Sequence, residues 1–516
     1  MKDIYILENK NLSLEEFSTI LEKKKEIVFS GEVLSRVKKS NSFLDSLLAN
    51  KVLLYGINTG YGPLATTHLP LSQAKVLQKN LIYHLSTGVG ETLSPIYVRA
   101  SMLARLICLS KGYSGVSLKS ITRLKDFLNQ DIIPYIPKIG TVGASGDLTP
   151  LAHMTLALIG ESKVFYKGKL IDSKIVHKNL KWKPLQLGPK DGLAFVNGTS
   201  VMTGISAVNG ILSKRVIQYS IILSLLYAEI LQAKEEAFFS VVARLKPHPG
   251  IQAFITQWLQ YSQDSKRFKK RKQFNNIKET SYENELLQDP YTIRTIPQTI
   301  GAVIDVLDSH NKTIEIELNS ISDNPIFVEE DEAVIHAGNF QGYSISLAAD
   351  NLYNALVTIA IHSERKIARI TDNKLNGGLP NFLQKNQNGL HSGFMGAQVT
   401  ATALVAWMRS HATPASIQSI PTNANNQDIV SMGTIASIKT SECLDRIFEL
   451  LAIESLVLAQ AFDLKEGELE ESGFSSTSKN FIKQIRENSP FLEKDRPLSN
   501  EIMDLAYRLK NGLIKI

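Results

Sequence analysis

Apolar positions recur at helical spacing along most of the chain. Between Ser94 and Gly112, residues Val98, Met102, Leu106 and Leu109 fall on one face. Ser94 is a good N-cap, Pro95 suits the first helical position, and Gly112 follows the last apolar turn. From Ser72 to Ser86 the stripe is Ala74, Leu77, Leu81 and Leu85, ended by Gly88. Longer amphipathic stretches occupy 201–240, 297–321, 343–371, 392–411 and 434–463. Strand signals are few. Val164–Ile171 reads as a hairpin turning at Gly168, and Ile326-Phe327-Val328 with Val334-Ile335-His336 reads as another, joined by Glu329–Glu332. The pattern predicts a mainly α fold, with a central bundle of long helices and an irregular N-terminal region. Residues 1–200 are expected to form that region and 201–516 the bundle domain. No internal repeat or low-complexity segment interrupts this reading.

Composition narrows the classes. The chain has 516 residues, 43% hydrophobic and 21% charged, which suits a soluble globular protein with a large core. Its most apolar run, Val216–Ala233, is broken by Gln218, Ser220, Ser224 and Glu229, as in a buried core helix and unlike a membrane span. The net charge of +7 falls to +1 once the six positive charges of Ser265–Lys272 are set aside. That run reads as a solvated, mobile loop. A nucleic-acid partner would need basic residues spread over a face. Only Cys108 and Cys443 are present, so no disulfide framework is expected. Met1-Lys2-Asp3-Ile4-Tyr5 lacks the apolar run of a signal peptide, and the expected compartment is the cytoplasm. His153, His336, His362 and His411 show no metal-ligand spacing, so no metal is expected.

The chemistry is expected in loops rich in Gly, Asn and Pro. In Gly140–Pro150, two glycines precede Ala144-Ser145-Gly146, and a helix follows with Leu151, Met154 and Leu158 as its buried stripe. The triplet thus lies at a helix N-terminus, where unpaired N–H groups favour negative charge. Alone, it reads as a Gly-rich turn capping a helix.

The segment resembles the histidine, phenylalanine and tyrosine ammonia-lyase family, and further matches follow in order over roughly residues 50 to 465. The resemblance implies that Ala144, Ser145 and Gly146 cyclise and dehydrate to 4-methylidene-imidazol-5-one, with no metal and no dissociable cofactor. The glycine nitrogen attacks the alanine carbonyl, and the serine loses its hydroxyl. Tyr55-Gly56-Ile57-Asn58-Thr59-Gly60-Tyr61-Gly62 is similar to the family's tyrosine loop. It implies Tyr55 as the base that removes the β-proton and places Gly62 at the substrate. Phe195–Ser200 matches the asparagine loop, with Asn197 holding the prosthetic ring or the substrate. In Gln288–Arg294, Arg294 is implied to pair with the substrate carboxylate, with Gln288 and Tyr291 beside the electrophile. Asn339 and Phe340 of Gly338-Asn339-Phe340 are implied to line the pocket. Asn425–Met432 matches a late active-site loop that includes Gln427.

Two positions bear on the substrate. Where histidine-selective members carry Ser-His and phenylalanine-selective members Phe-Leu, this chain has His84-Leu85, as in tyrosine-selective members. Gln427 stands where histidine-selective members carry glutamate, so a cationic imidazole would lack its counter-charge. Tyr61 replaces the usual phenylalanine. The expected reaction is L-tyrosine to trans-4-coumarate plus ammonia, in a homotetramer whose sites draw on three subunits. The alternatives are a tyrosine 2,3-aminomutase, or a phenylalanine or histidine ammonia-lyase with the same chemistry. The Gly-Ser-Ser…Met-Pro-Lys loop of the fumarase and argininosuccinate-lyase group is absent. An inactive relative is disfavoured by the intact Tyr55 and Ser145.

Overall fold

The computed structural model describes residues 3–270, 288–386, 389–466 and 473–516. The fold is mainly α, as the periodicity predicts. Its longest helices are Ser200–Ile230, Ile296–Leu318, Tyr343–Thr371 and Gly433–Glu466. The first stops at Ile230, short of the expected 240, because Gln232 takes a left-handed φ of 50° and a separate turn follows at Glu235–Phe238. Ser200–Ile230 and Tyr343–Thr371 are long and apolar enough to cross a membrane. However, 78% and 61% of their most apolar windows are buried within the protein, as in core helices.

The chain divides into two compact units. One comprises Met1–Gly210, His310–Asp350 and Pro414–Ser441; the other comprises Ile211–Ser309, Asn351–Thr413 and Glu442–Ile516. In the first unit the helix Pro95–Ser110 is buried on every side from Tyr97 to Ser110, Arg99 and Arg105 included. The expected single apolar stripe understated this. Leu151, Met154 and Leu158 are fully buried in the helix Leu148–Ile159. Both expected hairpins form: Val164 pairs with Ile171, and Phe327 with Val334. Three small pairings escaped the sequence pattern: Ile4–Leu7 with Glu26–Phe29, Val89–Thr92 with Pro137–Ile139, and Ile133–Pro134 with the first strand of the Val164–Ile171 hairpin.

The second unit corrects the reading of the basic run. Arg267 is only 6% exposed. Its Nε donates to the Glu229 carbonyl across 3.1 Å, and its guanidinium sits 4.7 Å from the centre of the Phe474 ring. Phe268 packs edge-on against Trp258, and the Lys269 N–H donates to Ala233 across 2.9 Å. This part of the run is anchored and is not a solvated loop; Arg271 and Lys272 lie outside the described residues. Arg267 is buried because its head finds a carbonyl and an aromatic face in place of water.

Candidate active site

A cavity of about 1150 Å³ opens within the first unit. One wall is the helix Ala74–Leu85, where Leu77, Asn80, Leu81, His84 and Leu85 face the space. Their three- and four-residue spacing puts them on one face. The stripe is therefore a cavity wall as much as a core face; the helix also buries Ala74, Gln78 and Ile82. The Nδ1 of His84 lies 3.1 Å from the Asn80 carbonyl, one turn earlier.

The tyrosine loop is held by its own short polar side chains. Asn58 accepts from the Leu54 N–H across 2.7 Å and donates to Val52 across 2.9 Å, while Thr59 accepts from the Gly56 N–H across 2.9 Å. Gly56 has a φ of 64°, and a Cβ there would fall 2.6 Å from the Tyr61 ring. The Tyr55 and Tyr61 rings meet edge to face at 6.3 Å. The Gly62 N–H donates to the Tyr55 phenol across 2.9 Å. Gln78 donates to both the Gly56 carbonyl, at 2.8 Å, and the Tyr61 hydroxyl, at 3.0 Å. Burial, with the neighbouring Tyr55, pushes the Tyr61 pKa well above the usual phenol value, so Tyr61 stays protonated.

The triplet forms a tight turn. Gly143, Ser145 and Gly146 all hold left-handed φ, at 79°, 52° and 77°. The Gly146 N–H reaches back to the Gly143 carbonyl at 3.3 Å. A Cβ on Gly146 would lie 2.2 Å from the Gly198 carbonyl oxygen, so no larger residue fits. Beneath this turn Asp147 is completely buried. Its carboxylate accepts from the Val201 and Met202 N–H groups, at 2.8 and 2.9 Å, and from the Thr434 hydroxyl. It thereby caps the helix Ser200–Ile230 and makes no cap bond to the helix that follows it. Burial pushes its pKa from 3.8 up to about 6, against the opposing pull of those donors and of Arg105.

Arg105 holds the asparagine loop from below. It is fully buried, and its guanidinium donates to the carbonyls of Asn197, at 2.6 Å, Ser322, at 3.1 Å, and Ala194. The side-chain oxygen of Asn197 is buried without a partner. The late loop closes on itself, with Thr422 and Gln427 exchanging backbone hydrogen bonds of 3.0 and 3.3 Å. Asn423, Ala424 and Asn425 inside it all take left-handed φ, a local strain kept at the cavity edge. Thr422 donates to the Gln427 amide oxygen across 2.9 Å, which turns the amide nitrogen toward Ser145 Oγ at 3.2 Å.

Of the residues expected from sequence, the cavity gathers Tyr55, Gly62, His84, Leu85, Ala144, Ser145, Asn197, Phe340 and Gln427. Gly146 is buried in the turn behind Ser145. Asn339 points elsewhere, donating to the Ile321 carbonyl across 3.2 Å. Gln288, Tyr291 and Arg294 belong to the second unit and are not part of this wall. There Gln288 and Arg294 line a cavity of about 220 Å³, with Tyr291 69% exposed and the Arg294 guanidinium over its ring at 4.7 Å. The sequence reading missed Asn80, although it sits one turn before His84 on the same stripe. It also missed Gln78 and Arg105, whose bonds cross to distant segments and carry no local signal, and Thr141, whose hydroxyl bonds stay within the triplet loop. No group of three or more His, Cys, Asp or Glu among the described residues could hold a metal ion.

Residues 12–487 match the family model described as aromatic amino acid lyase. A tyrosine ammonia-lyase of Cereibacter sphaeroides is 40% identical over 506 residues, covering 97% of this chain and 96% of that protein. A probable histidine ammonia-lyase of Thermoplasma acidophilum is 38% identical, covering 96% of each. Among solved structures, a tyrosine aminomutase from Streptomyces globisporus superposes with a TM-score of 0.93 at 32% identity, over 100% of this chain and 98% of that one.

Proposed function

The chain belongs to the aromatic amino acid lyase family and is a carbon–nitrogen lyase, and we propose that it eliminates ammonia from L-tyrosine to give trans-4-coumarate. The observation that carries the substrate is His84. Its Nδ1 faces a carbonyl, which can only accept, so in the neutral ring Nδ1 bears the proton. Nε2 is then left as an acceptor for the phenol O–H of tyrosine. Leu81 and Leu85 give the substrate ring apolar surface beside it. Gln427, a neutral amide, supplies no counter-charge for an imidazolium substrate.

The triplet residues fit the 4-methylidene-imidazol-5-one group. The turn is tight, Gly146 is the one residue its Cα position tolerates, and the Ser145 hydroxyl stands in the cavity. That group, once formed, supplies an electrophilic methylidene carbon for the substrate amine. Tyr55 takes the β-proton: it lines the cavity with Ser145, and the Gly62 N–H fixes its oxygen there. Asn197, with its unpaired oxygen, holds the ring or the substrate. Arg294 binds the substrate carboxylate, with Gln288 and Tyr291 beside it, supplied by another copy in a homotetramer. The Arg294 Nε is buried without a partner, which supports a role in binding an anion.

The similarity to a tyrosine aminomutase supports a second reading, in which the amine returns to the β-carbon. The test is absorbance of the purified enzyme with tyrosine, phenylalanine and histidine in turn, followed by chiral chromatography of the tyrosine reaction. Coumarate as the main product supports the lyase. Accumulating β-tyrosine would replace it with the mutase, and urocanate or cinnamate as the faster product would overturn the substrate.

A further inference from the structure

Thr141 ties the triplet loop at both ends. Its hydroxyl donates to the Gly146 carbonyl across 3.0 Å and accepts from the Gly143 N–H across 3.1 Å. Between these two bonds the Gly146 N–H reaches back to Gly143 at 3.3 Å. The neighbouring backbone is held too: the Met432 N–H donates to the Val142 carbonyl at 2.9 Å, and the Asp147 N–H to the Gly198 carbonyl at 2.7 Å. Those outer bonds place the loop in the protein. The Thr141 hydroxyl instead sets the shape of the turn itself, because one oxygen bonds residues on both flanks of Ala144-Ser145.

Ring closure needs the Gly146 nitrogen at the Ala144 carbonyl carbon. An amide nitrogen is a poor nucleophile, so the step depends on holding the two atoms together, and small misplacements are costly. We propose that Thr141 is a positioning residue for this closure, acting through the backbone of Gly143 and Gly146. The inference rests on the reading of the triplet as the precursor of the methylidene-imidazolone. In the closure, a bond forms between the Gly146 nitrogen and the Ala144 carbonyl carbon. The Ala144 oxygen leaves as water with the amide protons of Gly146 and Ser145. A second water carries away the Ser145 α-proton and hydroxyl. The balance closes without a co-reactant.

The experiment compares the full-length wild type with Thr141→Val, which keeps the shape and loses the hydroxyl, and Thr141→Ser, which keeps the hydroxyl. Peptide mass spectrometry reads the fraction of each chain lighter by two waters at set times after synthesis, independently of turnover. Conversion of Thr141→Val is expected to be slower by on the order of tenfold to a hundredfold, with Thr141→Ser close to wild type. If valine disturbs folding, as judged by Tm, Thr141→Ala takes its place. Conversion of the hydroxyl-free variant at the wild-type rate would overturn the proposal. So would equal failure of valine and serine, since side-chain volume would then be the cause. A wild type that retains its full encoded mass would instead remove the reading of the triplet on which the proposal stands.

Discussion

The Gly62 backbone N–H donates to the Tyr55 phenol oxygen across 2.9 Å, from the other end of the same loop. Asn58 and Thr59 hold that loop in shape. The donor is therefore in place before any substrate arrives, and it fixes where the Tyr55 oxygen sits.

Tyr55→Phe keeps the ring against Tyr61 and loses the oxygen. It is expected to lower kcat on the order of 10²–10⁴-fold, the range for a positioned base, with a much smaller change in KM. Steady-state kinetics with tyrosine checks this, and wild-type turnover in the mutant would remove Tyr55 from the base role.

His84→Phe should lower kcat/KM for tyrosine and raise it for phenylalanine. A site built to bond a hydroxyl is left with an unpaired polar group by the substrate lacking it, at a cost of about 1–3 kcal/mol. The quantity to measure is the tyrosine-to-phenylalanine ratio of kcat/KM. An unchanged ratio would mean that His84 does not select the substrate.

Asp147 predicts a pH dependence of stability. Its folded pKa, about 6, lies above its ordinary 3.8. The native state therefore holds this proton more tightly than the unfolded chain. The contribution of Asp147 to stability is greatest below pH 3.8 and declines as pH rises to about 6. Asp147→Asn should flatten that part of the Tm-against-pH curve, whatever it does to Tm overall. Identical slopes in the two proteins would argue against a raised carboxyl.

Arg267→Met keeps the length of the side chain and removes its charge. It removes the charged donor from the Glu229 carbonyl, which keeps only the Gln232 N–H, and leaves the Phe474 ring without its cation. A loss of about 1–3 kcal/mol is expected in denaturant unfolding, from the unmade hydrogen bond. Lys270→Gln, by contrast, should leave stability within about 0.5 kcal/mol, as at an ordinary surface site. An unchanged midpoint in Arg267→Met would return the segment to the solvated reading.

Much of the fold was legible because its signals are local. Ser94, Pro95 and Gly112 bracket a helix whose first and last turns depend on neighbours a few residues away, and Gly168 marks a turn for the same reason. The small strand pairings outside the hairpins were not legible, since each strand is short and only its distant partner gives it a register. The basic run holding Arg267 read as solvated because charge favours solvent by default. Arg267, like Arg105, is buried through carbonyls that lie elsewhere in the chain.

For the site, the sequence alone determined which side chains can do the chemistry: a serine that can lose water, an adjacent glycine with an open nitrogen, a tyrosine in a Gly-rich loop, and a histidine on a helical stripe. Residue type sets these capacities and needs no fold. Tertiary structure decided how they are used. It turned the stripe of Ala74–Leu85 into a cavity wall and brought Gln427 to Ser145 from 282 positions away. It also placed Arg294 in a different unit from that cavity. Such relations depend on contacts between segments far apart in the chain, which helical period and capping patterns, reaching only a few residues, do not encode.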